Sequence, residues 1–473
     1  MSQERHQLLM ELAAHEAELR RRSYLADPAR WVQERLKEHI WSKQRDVLES
    51  VRDNRRTAVP SCHQAGKSFI AARAAAWWLE NYPVGESLVV TTAPTGRQVR
   101  AILWREINRA HAHGNLSGRT NQTEWWMEVP GGKEEMVAVG MKPSEYDPAA
   151  FQGMHARRVL LILDEASGIP LPLWEDADSL IANDESRILA IGNPDDSRSE
   201  FFEVCKPGSG WKVIHIGAYD TPNFTGEVVP DAVRRVLIGK TWVDEKRKKW
   251  GEGNPLWIAK VLGQFPDAND DGLIPLSWVK RAQLAELSPE GPNELGVDVG
   301  GGGDRNVVAH RRGPVLRIRL RNQVADTMVS CGNVIAVMRA VGATKVKVDE
   351  IGIGKGLYDR GKELGLPFVG VNVGREPTDK EQFTNLRAQG YWGFRERFEL
   401  NQVDLDPDDD DLAAQLVDIR FKRTSSGKIQ IESKEEMKRR GRDSPDDADA
   451  SMLAFLPDHL CPQEVRELEI MWG

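Results

Sequence analysis

Val159-Leu160-Leu161-Ile162-Leu163-Asp164-Glu165-Ala166 is an unbroken apolar run that stops at two carboxylates. A run that is apolar at every position, without alternation, reads as a strand buried on both faces, the pattern of a parallel sheet. About a hundred residues before it stands Ser61-Cys62-His63-Gln64-Ala65-Gly66-Lys67-Ser68, after a short β-prone run and ahead of a helical stretch, Phe69 to Glu80. This is the second half of a phosphate-binding loop. Backbone N–H groups at the helix start would cradle phosphates and Gly66 would allow their close approach. Lys67 would neutralise the β- and γ-phosphates and Ser68 would hold Mg²⁺. Asp164, at the end of the apolar strand, can complete the magnesium shell, and Glu165 can polarise the attacking water. A Gly-Lys-Ser arising by chance on a turn would not bring the acidic strand with it, so the two stretches together predict an ATP site. The usual first glycine of the loop is Ser61 here.

Outward from this pair, the runs Leu88–Val90, Met136–Val139, Ile188–Ile191 and Val213–Ile216 alternate with helical stretches. That alternation predicts an α/β, P-loop (RecA/ASCE-like) ATPase domain over 41–220 with a largely parallel sheet. Its nucleotide contacts would come from Ser61, Gln64, Ala65, Gly66, Lys67, Ser68 and Asp164. Asn193, closing the strand Ile188–Gly192, could sense the γ-phosphate, and Gln44 stands at the distance where motor ATPases often place an adenine-reading glutamine. Arg157 and Arg158 could supply charge to a neighbouring subunit's nucleotide, although ordinary surface roles are the plainer reading. Before this domain, 1–40 reads as a helical segment, with Leu8, Leu9, Leu12 and Leu19 near helical spacing. Trp77-Trp78 and Trp125-Trp126 read as core or interface, Cys62 as a small buried residue and His63 as filler.

A connector over 221–292, carrying Lys246-Arg247-Lys248-Lys249, leads to a second α/β unit over 293–460 and a tail, 461–473. Strand-like Gly296–Val299 places Asp298 mid-strand ahead of Gly300–Gly303, and a carboxylate inside an apolar strand is costly unless paired or metal-bound. The strand Val346–Val348 ends in Asp349-Glu350. Asp443-Ser444-Pro445-Asp446-Asp447-Ala448-Asp449 opens a helix, and Asp446 and Asp449, three apart, share one face of it. Two strand-borne acids and a late helix acid form the layout of an RNase H-like nuclease domain. Asp298, Asp349, Asp446 and Asp449 would hold two Mg²⁺ or Mn²⁺ ions, and Asp298, Asp349 and Asp449 would be the catalytic carboxylates. The acidic run leaves open which of Asp446, Asp447 and Asp449 binds metal. An actin or sugar-kinase fold would need a second Asp-x-Gly phosphate loop, and none is recognisable; a degenerate structural domain is the remaining alternative. The run Asp404–Asp411 reads as a loop capping a helix.

Composition bounds these readings. The 473 residues suggest two or three domains, and 40% hydrophobic with 29% charged residues is a globular balance. Four scattered cysteines exclude a disulfide framework or a Cys-x-x-Cys zinc site. No run has membrane-helix length and the start is polar, so a cytoplasmic protein is expected. The net charge of −8 argues against a general basic coat, but an acidic enzyme can carry a local basic track.

The order ATPase, connector, RNase H-like domain resembles the large terminase subunit of tailed bacteriophages. The resemblance is carried by Thr91-Thr92-Ala93-Pro94-Thr95 with Gln98, Phe151-Gln152-Gly153-Met154-His155-Ala156, Asp164-Glu165-Ala166 and Gly192-Asn193-Pro194. Val261-Leu262-Gly263-Gln264-Phe265-Pro266, Asp349 with Gly352 and Gly354, and Ser444-Pro445-Asp446 with Ala448-Asp449-Ala450 continue it. It implies an ATP-driven motor pushing double-stranded DNA into a procapsid, and a nuclease cutting concatemeric viral DNA. It further implies a pentameric ring docked on a portal protein in the host cytoplasm, with a small terminase subunit recognising the genome. By that resemblance Lys67 and Ser68 bind phosphate and magnesium, Asp164 supports the magnesium and Glu165 is the catalytic carboxylate. His63 stands where many relatives have an arginine, so that arginine's role does not carry over. The alternatives are a helicase- or repair-type DNA-translocating ATPase with an RNase H-like domain, and a DNA-binding scaffold with a dead ATPase fold. A superfamily-2 helicase would need a second RecA-like domain with an arginine finger motif.

Overall fold

The computed structural model describes residues 3–129, 131–142, 154–267, 271–300 and 304–462. Phe151–Gly153 of the motif above, Gly301–Gly303 and the tail from 463 lie outside the described residues. The chain forms two compact units, Met1–Arg247 with Trp257–Asp267, and Lys248–Leu256 with Ala268–Gly473. The residues expected as a connector divide between them. Among the described residues no helix is long and apolar enough to cross a membrane.

The first unit begins with helices α1 (Gln3–Ala26) and α2 (Pro28–Arg35). Asp27 separates them by accepting from Arg30 N, with Pro28 in the first helical position, where its missing N–H costs nothing. After α3 (Ser42–Asp53) come eight strands: β1 (Arg56–Pro60), β2 (Ser87–Thr92), β3 (Arg119–Thr120), β4 (Glu124–Val129), β5 (Lys133–Met141), β6 (Arg158–Asp164), β7 (Arg187–Gly192) and β8 (Lys212–Val213). They form one sheet in the order β3-β4-β5-β2-β6-β7-β1-β8. From β5 to β8 every pairing is parallel, and the β3-β4-β5 margin is antiparallel. β6 has no exposed apolar residue, because helices cover both faces. β8 is shorter than the run Val213–Ile216 suggests. Trp77, Trp78 and Trp125 are fully buried, Trp77 donating its indole N–H to Tyr24 O (2.9 Å) and Trp125 to Ser117 O (2.8 Å).

The second unit holds a five-stranded sheet, β9 (Asn293–Asp298), β10 (Asn306–Arg312), β11 (Val315–Asn322), β12 (Lys345–Asp349) and β13 (Phe368–Val371), ordered β11-β10-β9-β12-β13. The first three are antiparallel, and β9, β12 and β13 are parallel. This mixed sheet is no second parallel P-loop core, which a superfamily-2 helicase requires. β9 ends at Asp298, so the aspartate stands at the strand's end rather than mid-strand: Gly300 N turns away to donate to Asn306 Oδ1 (2.9 Å). The helix Asp446–Phe455 lies directly on β9 at Gly296, where a Cβ would meet Ala450 O at 2.0 Å. A short hairpin, β14 (Phe421–Arg423) with β15 (Ile429–Ile431), completes the unit. Asp409 caps the helix Asp410–Asp418 by accepting from Leu412 N, the capping role expected of the acidic run.

Candidate functional site

In the first unit the parallel strands end on one edge of the sheet, the edge at which α/β folds bind ligands. β1 leads into Ser61 and the loop, which turns into α4 (Lys67–Asn81) at Gly66, with φ +80°. A side chain at Gly66 would be strained and would meet Gln44 Nε2 at 2.5 Å, so the glutamine from α3 sits directly against the loop. β7 lies between β1 and β6, which puts Asn193 between the loop and the acidic strand end. Asn193 Nδ2 donates to Ser61 O (2.8 Å), and Lys67 Nζ donates to Asn193 Oδ1 (3.2 Å) and Cys62 O (3.1 Å). Ser68 Oγ donates to Asp164 Oδ2 (3.4 Å). The structure thus brings together Gln44, Ser61, Gly66, Lys67, Ser68, Asp164 and Asn193. Ser61, in place of the usual glycine, is wholly buried.

Burial, then the charge of Glu165, pushes the Asp164 carboxyl up to about 7 against the pull of Lys67. Glu165 follows with φ +49°, a left-handed backbone worth about 1–3 kcal/mol of strain in a non-glycine residue. Gly192 makes room for it: a Cβ there would meet Ala166 N at 2.8 Å. Gln64 is likewise left-handed, with φ +51°, and accepts from Ile238 N (3.1 Å), while His63 stacks on Trp242 and Ala65 is buried. Cys62 is buried, which raises its thiol to about 12. Arg157 and Arg158 stand at the opposite end of β6 from Asp164. Both are engaged, Arg157 Nε with Glu185 (2.9 Å) and Arg158 with Glu86 (2.7 Å) and Glu185 (2.6 Å).

In the second unit, parallel pairing of Val297 with Val348 sets the ends of β9 and β12, Asp298 and Asp349, side by side. The first turn of the 446–455 helix adds Asp446 and Asp449. Lys434, first residue of the helix Lys434–Arg439, places its ammonium 3.2 Å from Asp298 Oδ2, 3.2 Å from Asp449 Oδ2 and 3.7 Å from Asp446 Oδ1. Asp447 is turned away, its Oδ2 accepting from Arg321 Nε (3.1 Å). Asp446 Oδ2 accepts from Arg305 N (3.1 Å), and its buried Oδ1 has no hydrogen-bond partner. Asp349 Oδ1 accepts from Ile351 N (3.1 Å). Burial raises Asp298 to about 8 and Asp349 to about 6, and it raises Asp446 too. For Asp449 burial pushes the same way, but Arg387 and Lys434, with the Tyr391 hydroxyl, outweigh it and hold the carboxyl below its ordinary value. Tyr391 Oη donates to Asp449 Oδ1 (2.6 Å) and Arg387 Nη2 lies 3.2 Å from the same oxygen. Among the described residues no three carboxylate, thiol or imidazole groups converge closely enough to grasp one ion as they stand; the Lys434 ammonium lies among the carboxylates instead.

Lys434, Arg387 and Tyr391 escape sequence reasoning. The spacing Ser433-x-x-Glu436 does mark a capped helix start, but nothing local marks the lysine beside it as facing the carboxylates.

Fold and sites define a class: a P-loop ATPase-type α/β unit joined to an RNase H-like unit with a carboxylate cluster. No protein-family model matches the chain. It is 23% identical over 472 residues, covering 90% of each chain, to a protein of Enterobacteria phage P7 described as "Probable terminase, large subunit". Among solved structures, it is similar to the nuclease domain of the large terminase subunit gp2 of bacterial virus Sf6 (23% identity, 38% of this chain and 97% of that one, TM-score 0.33). It is also similar to the large terminase of a thermophilic bacteriophage, solved in complex with ADP (10% identity, 88% and 98%, TM-score 0.42). The resemblance to large terminase subunits seen in the motifs thus extends, through the P7 relative, over nine-tenths of the chain.

Proposed function

We propose that the chain is a phage terminase large subunit, an ATP-driven motor that moves double-stranded DNA into a procapsid and a metal-dependent endonuclease that cuts concatemeric viral DNA. The observation that carries this reading is one chain holding both a Lys67–Ser68–Asp164–Asn193 cluster and an Asp298–Asp349–Asp446–Asp449 cluster. In the ATPase, loop N–H groups and Lys67 hold the phosphates, and Ser68 and Asp164 provide oxygens for Mg²⁺. Gln44 meets the adenine, Glu165 orients the attacking water, and Asn193 ties Lys67 to β7, so phosphate loss is felt at that strand.

In the nuclease the donors are all hard oxygens, suited to Mg²⁺ or Mn²⁺, and the buried Oδ1 of Asp446, which makes no hydrogen bond and faces the Lys434 ammonium at 3.7 Å, fits a cation. Asp298, Asp349, Asp446 and Asp449 would hold the metal, which when bound supplies activation of water and stabilisation of the leaving 3′ oxygen. Arg387 and Tyr391 keep Asp449 charged and oriented, and Lys434 balances the crowded carboxylates. The subunit works as a pentameric ring with a portal protein and a small terminase subunit, in the host cytoplasm and transiently at the portal vertex. The test is circular plasmid incubated with EDTA, Mg²⁺ or Mn²⁺, wild type against Asp298→Ala. Metal-dependent cutting lost in the variant is expected; no cutting with either metal would refute the nuclease role.

A further inference from the structure

We propose that the surface carrying Lys438, Arg439, Lys422 and Lys428, next to the carboxylate cluster, is the track that grips the phosphate backbone of duplex DNA during cutting. It rests on the nuclease reading and adds to it the surface that binds the substrate. The chain is acidic overall, at −8, yet residues 420–442 contain nine lysines and arginines against three glutamates, a net +6.

That surplus is organised around the site. The reciprocal cap between Ser433 and Glu436 starts a helix at Lys434, whose ammonium lies among the carboxylates. Lys438 is four residues on, on the same helical face and about 6 Å along the axis. At 3.4 Å of rise per nucleotide along one strand, this step matches about two nucleotides. The β14–β15 hairpin is fastened to the same helix: Lys422 Nζ reaches Glu436 Oε1 (2.8 Å), and Arg440 Nη2 reaches Glu432 Oε1 (2.6 Å). Lys422 pairs across the hairpin with Gln430, and Lys428, two residues before Gln430, shares that face. Lys422, Lys438 and Arg439 are exposed. Glu432 and Glu436 are matched by Arg440 and Lys422, and Arg420 and Arg442 by Asp271 and Asp418, so the outward surplus rests on Arg423, Lys428, Lys438 and Arg439, with Lys422 held beside them by its surface pair to Glu436. The helix dipole accounts for cations in the last turn of the 434–439 helix, but not for two lysines on a separate hairpin. Contacts of this kind position a duplex without reading its sequence, as cutting along a genome requires.

The test uses the full chain with two double variants, Lys438→Gln/Arg439→Gln and Lys422→Gln/Lys428→Gln. Binding to a short duplex is measured by fluorescence anisotropy in EDTA across a KCl series, and plasmid cutting with Mn²⁺. Each double variant is expected to flatten the slope of log K against log salt by up to about 1.8, at about 0.9 per lost phosphate contact. The KM for plasmid should rise while kcat holds, and Lys380→Gln, outside the track, should change neither. Wild-type slopes and KM in both double variants would overturn the track while leaving Asp298-dependent cutting, and so the nuclease reading, intact. Flattened slopes in a protein that shows no Asp298-dependent cutting would do the opposite.

Discussion

Replacing Gly296 by alanine puts a methyl carbon 2.0 Å from Ala450 O, 2.3 Å from Ala454 N and 3.0 Å from Ala454 Cα. All three are backbone atoms of the helix that carries Asp446 and Asp449, so no side chain can swing aside. Restoring ordinary van der Waals contact, near 3.4 Å, requires the helix to move off β9 by about 1.4 Å. The helix cannot yield locally, since every residue from Asp446 to Phe455 is buried. Two costs follow. Overpacking destabilises by about 1–3 kcal/mol. Asp446 and Asp449 also shift relative to Asp298, and a misplacement of about 1 Å can cost on the order of 10²-fold in rate. Plasmid cutting with Mn²⁺ should therefore fall by about 10²-fold in Gly296→Ala, with ATP turnover retained and the urea midpoint lowered. A folded Gly296→Ala protein that cuts at the wild-type rate would refute the claim that the helix–strand approach sets the geometry of the carboxylates.

Glu165→Gln should lower ATP turnover by about 10²–10⁴-fold, the usual contribution of a positioned base, while plasmid cutting is unchanged; a parallel loss of cutting in a folded variant would contradict two independent sites. Burial raises the Asp298 carboxyl to about 8 in the fold against an ordinary value of 3.8, so ionising it costs stability progressively as pH rises from about 4 to about 8. In EDTA, Asp298→Asn should remove that cost, gaining in urea midpoint relative to wild type between pH 5 and pH 8; a constant difference across that range would show that Asp298 is not the group involved.

The two sites were legible to different depths. β6 is readable because a strand covered on both faces must be apolar at every position, and the same run delivers Asp164 and Glu165 to the edge where ligands bind. Gly-Lys-Ser is readable because the chemistry of phosphate binding needs a backbone donor loop, a cation and a hydroxyl in immediate succession. The second cluster was legible as two strand-borne acids and a pair on a late helix, without the cations that face them. The spacing of Asp446 and Asp449 placed both on one face, but whether Asp447 joined them stayed open until Arg321, from β11, was seen to take it.

What the sequence by itself determined is whatever depends on neighbours along the chain: the strands, the phosphate loop, the capped helices and the residue types that carry the chemistry. Tertiary structure alone decided which distant groups face one another. Lys434 meets Asp298 across 136 residues, and Tyr391 meets Asp449 across 58. The same holds for β7 lying between β1 and β6, which sets Asn193 beside Lys67. Local pattern reports burial and periodicity, because those act on each residue through its immediate backbone. The partner of a buried charge is chosen by packing between elements, and helix spacing carries no record of it. Lys434 therefore reads in the sequence as an ordinary first-turn lysine, and only the fold turns its ammonium toward three carboxylates.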